Sequence, residues 1–282
     1  IDAGGDDTEA RLDSLRLFNH RQVLNAGLLE LDEKIDRVAL ETALTTIAEV
    51  CTETALDFAR HALSKRSATA PAEGSATFLI VAMGKRASRE LSYGSDLDLV
   101  FVFEVLEDDA MRLVEAQEYF VRLAQRFISV LQTSTREGSC YDIDARLRPS
   151  GNQGMLVSSL ASFERYHDTS AQIWERQALL RARPVVGDAA LAEAFQSLRI
   201  GILSRELPPD LGDEIHRIRV RIEAELARET HAHRNFKTGR GGVFTWNVRF
   251  STCSCATVES ILSSSIGSGP RSTSIGSRSS ER

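Results

Sequence analysis

Gly94-Ser95-Asp96-Leu97-Asp98 stands at the mouth of an apolar run, Leu97 to Phe103. Side chains two apart on a strand project to the same side, so a strand here aims Asp96 and Asp98 together. Two carboxylates held side by side repel unless a cation lies between them. Their hard oxygens suit Mg²⁺ or Mn²⁺, ions that keep positions open for phosphate oxygens. Gly94 allows close approach of the backbone to a ligand. A Gly-Ser turn can aim N–H groups at phosphate, so Gly94 and Ser95 are candidate phosphate contacts. A third carboxylate, Asp144, lies on the polar face of a second alternating segment, Tyr141 to Leu147. If that segment pairs beside the first, three carboxylates are available to two metals, an arrangement that clamps the attacking and leaving oxygens in phosphoryl transfer. Asp-x-Asp beside a strand is common; the preceding Gly-Ser and the Asp144 segment single this one out. Arg146 and Arg148 share Asp144's face and either bind a triphosphate or neutralise the carboxylates. Lys85 follows Gly84 at a strand end, placed either for a phosphate or as a solvated surface lysine.

The elements that must carry these residues are legible as periodicities. Phe78 to Met83 and Leu97 to Phe103 are short apolar strands, and the alternation of Tyr141 to Leu147 predicts a half-buried third. Met155 to Val157 predicts a fourth, short one. Leu113, Ala116, Phe120, Leu123, Phe127 and Val130 line one side of a helix over 109–132. Before the strands, Leu40, Leu44, Ile47, Cys51, Phe58 and Ala62 mark a long amphipathic helix, and Leu12, Leu15, Phe18 and Val23 a shorter one. Residues 66–76 are small and polar, a linker or exposed loop. Helices return from about Ser159: through Trp174 to Arg183, with Trp174 in the core, then 188–200, then 210–229 with Asp210 as N-cap. The fold class is therefore α+β, a mixed sheet with helices, flanked by helical regions. The expected divisions are a helical region at 1–70, the sheet-bearing domain at 71–187, a helical region at 188–244, and a tail at 245–282. The tail is rich in Ser, Gly and Arg, lacks periodicity and is expected to be disordered.

Composition narrows the partners. A net charge of −6 over 282 residues lacks the basic surface that non-specific nucleic-acid binding requires. Cys51, Cys140, Cys253 and Cys255 form neither a disulfide framework nor a zinc spacing, as expected in a reducing cytosol. No apolar run reaches transmembrane length and no signal peptide is recognisable, so a cytoplasmic location without membrane partners is expected. The chain begins at Ile1 rather than Met, as expected of a fragment.

Several blocks carry a family resemblance. Gly84-Lys85, Arg89-Glu90-Leu91 and Tyr93-Gly94-Ser95-Asp96-Leu97-Asp98-Leu99 resemble the nucleotidyltransferase signature of glutamine synthetase adenylyltransferases. Asp144-Ala145-Arg146-Leu147-Arg148-Pro149-Ser150-Gly151, followed by Gly154-Met155-Leu156-Val157, is similar to that family's next signature. Trp174 to Arg183 with Gly187-Asp188 fits a third block, and Phe236-Lys237-x-Gly239-x-Gly241-Gly242 matches the start of a fourth. The resemblance spans roughly residues 10–244. It implies a nucleotidyltransferase fold within one half of a bifunctional enzyme. One half attaches AMP from ATP to a tyrosine of glutamine synthetase, and the other removes it by phosphorolysis, giving ADP. The Arg-Pro-Ser-Gly…Gly-Met-Leu wording is closer to the C-terminal, adenylylating half. The implied metal ligands are Asp96, Asp98 and Asp144. The implied nucleotide contacts are Gly94, Ser95, Lys85, Arg146, Arg148 and Lys237, with ATP as substrate and Mg²⁺ or Mn²⁺ as cofactor. The implied partners are glutamine synthetase and a nitrogen-signalling regulatory protein.

Two departures stand out. Where the family reads Gly-Lys-Leu-Gly-Gly-Arg-Glu-Leu, this chain has Gly84-Lys85-Arg86-Ala87-Ser88-Arg89-Glu90-Leu91, and Ala and Ser resist the positive φ that glycine allows. After Gly241-Gly242 and two further residues the family continues Asp-Ile/Val-Glu-Phe, but here Val243-Phe244 precedes Thr245-Trp246-Asn247. Loss of one base from GAC GTG GAA turns Asp-Val-Glu into Thr-Trp-Asn, so a frameshifted tail is expected. Two alternatives to the adenylylating enzyme stand: the removing half, which uses the same carboxylates, and, because of the tail, a non-catalytic remnant that still binds nucleotide or glutamine synthetase.

Overall fold

The computed structural model describes residues 8–64, 70–72, 74–106, 110–206, 209–227, 234–236 and 238–239. Two helices open the chain, α1 (Thr8–Leu31) and α2 (Arg37–Ser64). Of the α2 stripe predicted from periodicity, Leu40, Leu44, Ile47 and Cys51 are buried, while Phe58 and Ala62 are half-buried. The α1 helix is longer than its four-residue apolar pattern implied, because it is held largely by polar anchors. Asp13, Arg16 and Asn19 are buried alongside Leu15.

Strand β1 (Ala76–Met83) leads through the one-turn helix α3 (Gly84–Ala87) to β2 (Leu97–Val105), and helix α4 (Ala110–Gln132) follows. β1 and β2 pair antiparallel from Ala76↔Val105 to Ala82↔Leu99. Then come β3 (Ile143–Asp144), β4 (Val157–Ser159), α5 (Leu160–Thr169), α6 (Ile173–Ala178), β5 (Ala182–Gly187), α7 (Ala189–Leu203) and α8 (Leu211–Ile222). The sheet order is β3-β2-β1-β5, with β4 also paired to β2. Both β3 and β4 run parallel to β2, the first beside Leu97 and Asp98, the second beside Phe101 to Phe103. The mixed α+β class is as expected.

One face of the sheet, with Phe78, Ile80, Leu97, Leu99, Phe101 and Phe103, shares a single core with α1, α2 and α4. Phe78 stacks on Phe101 and Phe120, and Phe101 meets Phe127 edge-on. The helical region at 1–70 is therefore part of the sheet's own core. Compactness divides the chain at Ile202/Leu203 rather than at 187/188, so α7 belongs with the sheet unit. In the second unit, α8 is followed by a wide turn, and Arg219 donates to the carbonyls of Thr238 and Gly239. Among the described residues no helix is long and apolar enough to cross a membrane. The frameshift expectation and the tail at 245–282 lie outside the described residues.

Several sequence expectations need correction. The alternation of Tyr141 to Leu147 yields only a two-residue strand, because the chain turns at Ala145, whose carbonyl accepts from the Arg148 N–H. The helix expected over Trp174–Arg183 stops at Ala178 and passes through a short 3-10 turn into β5. Pro184 masks that strand, since proline lacks the N–H a ladder needs. β5 accommodates it as an edge strand, with a register shift between Ile80 and Val81. Trp174 is 41% exposed rather than core. Asp210 precedes α8 without a side-chain capping bond. It stands at the N-cap position and its carbonyl accepts from Asp213 N and Glu214 N, whereas at the start of α7 Asp188 caps with its side chain, Oδ1 accepting from Leu191 N at 3.0 Å.

Two buried arginines carry opposite consequences. Arg16 is fully buried and donates to the carbonyls of Leu12, Val130, Thr133 and Gly138. It thereby satisfies the C-terminal end of α4 and pins α1 to the turn that leads into β3. Arg86, on α3, is 1% exposed and donates to Ala48 O and Thr52 Oγ1, while its Nε and Nη1 have no partner. Burial pulls its pKa down to about 10. Cys51 and Cys140 are both free, and burial pushes their thiols up to about 12 and about 11.

Removing a buried cation that satisfies several carbonyls strands those carbonyls, whereas replacing an under-satisfied one with an apolar side chain relieves a desolvation cost. Arg16→Met is expected to lower unfolding free energy by roughly 2–4 kcal/mol, and Arg86→Leu to raise it by about 1–2 kcal/mol. Urea denaturation of the two variants beside the parent checks both signs.

Candidate active site

The candidate residues gather where β1, β2 and β3 end together. Asp98 is the second residue of β2, between the fully buried Leu97 and Leu99, so its side chain leaves the α2/α4 core on the opposite face. Its register partner on β3 is Asp144. The expectation that the two segments neighbour each other is thus met, and the two carboxylates occupy one rung. Asp96 is exposed one residue before β2.

Gly84 closes the other side. It ends β1 at φ +57°, and a Cβ placed there would lie 2.9 Å from Asp98 Oδ2. The residue that lets a carboxylate lie against the backbone is therefore Gly84, which the sequence pattern left unassigned. Gly94 works differently. It has φ +63° with open space around it, and it is the third residue of a turn closed by Ser95 N to Ser92 O at 3.2 Å. Positive φ at that position is what a tight turn demands of glycine. The Ser95 hydroxyl lies within that turn, accepting from Ser92 N at 3.2 Å and 3.0 Å from Ser92 Oγ. Lys85 reaches the same turn, donating to Ser92 Oγ at 3.3 Å.

Asp144 is gripped by its own loop. Its Oδ1 accepts from Arg146 N at 2.8 Å and Arg146 Nε at 3.0 Å, and Oδ2 accepts from Nε at 2.9 Å and from Nη2. The Arg146 side-chain bonds hold this carboxyl below the usual carboxylate range, against the opposing effect of burial. Arg146 is raised in turn, chiefly by Asp144 and further by the charges of Asp98 and Asp96. The neutralising role open to Arg146 is the one it fills in this structure. Arg148 points elsewhere, donating to Ala145 O at 2.6 Å and Gly154 O at 3.3 Å. It braces the loop after β3. Lys237 lies outside the described residues.

Where the family wording has two glycines, Ala87 and Ser88 both avoid positive φ. Arg86 and Ala87 are helical in α3, Ser88 keeps a negative φ, and the left-handed position falls on Arg89 at φ +60°. Two arginines of the Trp174–Arg183 block hold this turn from β5 and the residue before it. Arg183 donates to Ala87 O and Arg86 O, and Arg181 to Ser88 Oγ and Glu90.

A divalent cation suits this donor set in chemistry, being offered only oxygen ligands beside a glycine that leaves room for one of them. Even so, among the described residues no three acidic, histidine or cysteine side chains are grouped as a metal site. Arg146 already occupies the Asp144 carboxylate.

The sequence profile of the glutamate-ammonia ligase adenylyltransferase family matches residues 2–198. The chain belongs to this family. It is 40% identical over 246 residues to a bifunctional glutamine synthetase adenylyltransferase/adenylyl-removing enzyme of Xanthomonas campestris pv. campestris, covering 84% of this chain and 26% of that one. The enzymes of the same name from Nitrosococcus oceani and Acinetobacter baylyi are 37% and 36% identical, over 85% and 84% of this chain and 26% and 27% of theirs. The chain thus spans about a quarter of the length of these curated relatives. The stretch matched by the adenylyltransferase family contains Gly84 and every candidate site residue except Lys237.

Alanine at either glycine is forced into the left-handed region, at a cost of about 1–2 kcal/mol each. Only Gly84→Ala also displaces a carboxylate. Crystal structures of both variants are expected to show the Asp98 side chain rotated in Gly84→Ala and unchanged in Gly94→Ala, with similar losses of thermal stability.

Proposed function

We propose that this chain is a nucleotidyltransferase-fold domain that transfers AMP from ATP to a tyrosine of glutamine synthetase. The observation that carries the reading is the shared rung of Asp98 and Asp144, with Gly84 pressed against Asp98. Family membership gives the reaction class. A Mg²⁺ or Mn²⁺ ion held by Asp96, Asp98 and Asp144 would neutralise the triphosphate and lower the barrier to attack at the α-phosphorus. The chain's own groups orient the reactants. Lys85 and the Ser92–Ser95 turn form a cationic, hydroxyl-bearing rim for phosphate oxygens. Asp144, which Arg146 holds ionised until a metal binds, serves as fixed charge rather than as proton acceptor. The tyrosine O–H gives its proton to solvent, a new bond forms between the tyrosine oxygen and the α-phosphorus as the α–β bridge breaks, and pyrophosphate leaves.

The adenylyl-removing reaction uses the same three carboxylates. The Arg148-Pro149-Ser150-Gly151 and Gly154-Met155-Leu156 wording favours the attaching direction. Glutamine synthetase is the protein partner on this reading, a nitrogen-signalling regulatory protein a second partner, and the cytoplasm the site of action.

Labelled AMP is expected to pass from α-labelled ATP to purified glutamine synthetase in the presence of Mg²⁺. Asp98→Asn is expected to reduce that transfer by about a hundredfold or more. No transfer, with ADP released from adenylylated glutamine synthetase and phosphate, would assign the removing half. Failure of both reactions would leave a non-catalytic remnant.

A further inference from the structure

An ionised carboxylate offers about four lone-pair sites on its two oxygens. Asp144 draws three hydrogens from one residue, the single Nε–H being shared between its two oxygens. Oδ1 takes the backbone N–H and Nε of Arg146, and Oδ2 takes Nε and Nη2. A metal ion that takes Oδ2 competes with the guanidinium, which holds that oxygen through Nη2 and the shared Nε–H. Withdrawal of the guanidinium is easy, because the Arg146 side chain is 71% exposed while that of Asp144 is 19% exposed. The pair is anchored at its acidic end and loose at its basic end. The backbone N–H remains on Oδ1 at 2.8 Å when the side chain leaves, so the carboxylate keeps its orientation and frees Oδ2.

We infer that Arg146 is a resident counter-cation that competes with the divalent metal for Asp144, so that metal loading and release of the Arg146 side chain are a single event. The inference rests on the metal reading proposed above. The device has a purpose in the metal-free protein. Asp98 and Asp144 share a rung and Asp96 lies two residues from Asp98, and a mobile cation offsets their mutual repulsion until a bound ion takes over. It also sets the affinity, since every binding event must displace a forked, charge-assisted contact.

The test is Mn²⁺ binding to the whole chain without nucleotide, read from the free-ion electron paramagnetic resonance signal. Arg146→Ala removes the guanidinium and keeps the backbone donor. It is expected to bind Mn²⁺ about three- to fivefold tighter than the parent, the range set by an exposed ion pair. Arg146→Lys, which keeps the charge but cannot fork, is expected to fall between them. In an Asp144→Asn background the gain from Arg146→Ala is expected to vanish. Equal or weaker binding by Arg146→Ala overturns the inference. So does a gain that persists undiminished with Asp144→Asn, because the effect would then come from charge acting on Asp96 and Asp98. No Mn²⁺ uptake by the parent or by any variant overturns the metal reading itself, and the inference with it.

Discussion

Asp98 and Asp144 stand opposite each other on one rung of the β2–β3 ladder, and like charges on one rung repel. Neither can move far. Asp98 is fixed by Leu97 and Leu99, both fully buried in the core beneath it. Asp144 is fixed by a strand of two residues and by the turn that follows. Much of the surrounding arrangement answers that repulsion. Gly84 gives Asp98 room to lie against the backbone of α3. Arg146 closes on Asp144 from the loop side. Arg148 ties that loop to the Ala145 and Gly154 carbonyls, which limits where Arg146 can go.

A strand of two residues does not hold itself, so its register must be imposed from outside. The imposition runs through α1. Arg16 gathers the carbonyls of Val130, Thr133 and Gly138, and Asp13 pairs with Arg136 at 3.1 Å. Cys140 N and Tyr141 N then bond back to Leu131 O, and Leu97 N bonds to Asp142 O at 2.9 Å. The chain thus reaches β3 already aligned with β2. The helical hairpin that opens the sequence is in this sense part of the site's scaffold, which is why it shares the sheet's core rather than forming a region of its own.

What was legible in the sequence follows from how each element is held. β1, β2, α2 and α4 are held by apolar burial, which leaves periodicity in the residue pattern, and their positions are readable to within a few residues. Elements held by polar contacts leave no such trace. Half of α1 is anchored by Asp13, Arg16 and Asn19, so the apolar stripe understated its length. β5 is an edge strand interrupted by Pro184 and flanked by arginines that serve α3, so it read as the end of a helix. The Asp-x-Asp pair and Asp144 were visible because their chemistry is written in residue type. The role of Gly84 was not, because a glycine's neighbour is a fact of three dimensions. Gly94 is legible as a special residue, and its positive φ is what the turn requires.

The segment between β1 and β2 shows how such a site tolerates drift. Relative to the family wording, Arg86, Ala87 and Ser88 replace Leu-Gly-Gly. Alanine and serine resist positive φ, and here Arg86 and Ala87 form a helical turn, Ser88 keeps a negative φ and the left-handed residue is Arg89. That turn directs Arg86 inward against α2, where a leucine would bury without polar cost and the guanidinium leaves two nitrogens unpartnered. The carbonyls at the end of α3 are met by Arg183 reaching across from β5. The position that stays glycine is Gly84, where an added Cβ would lie 2.9 Å from the Asp98 carboxylate. In this segment Arg86 bears on stability, whereas Gly84 bears on the geometry of the carboxylate pair.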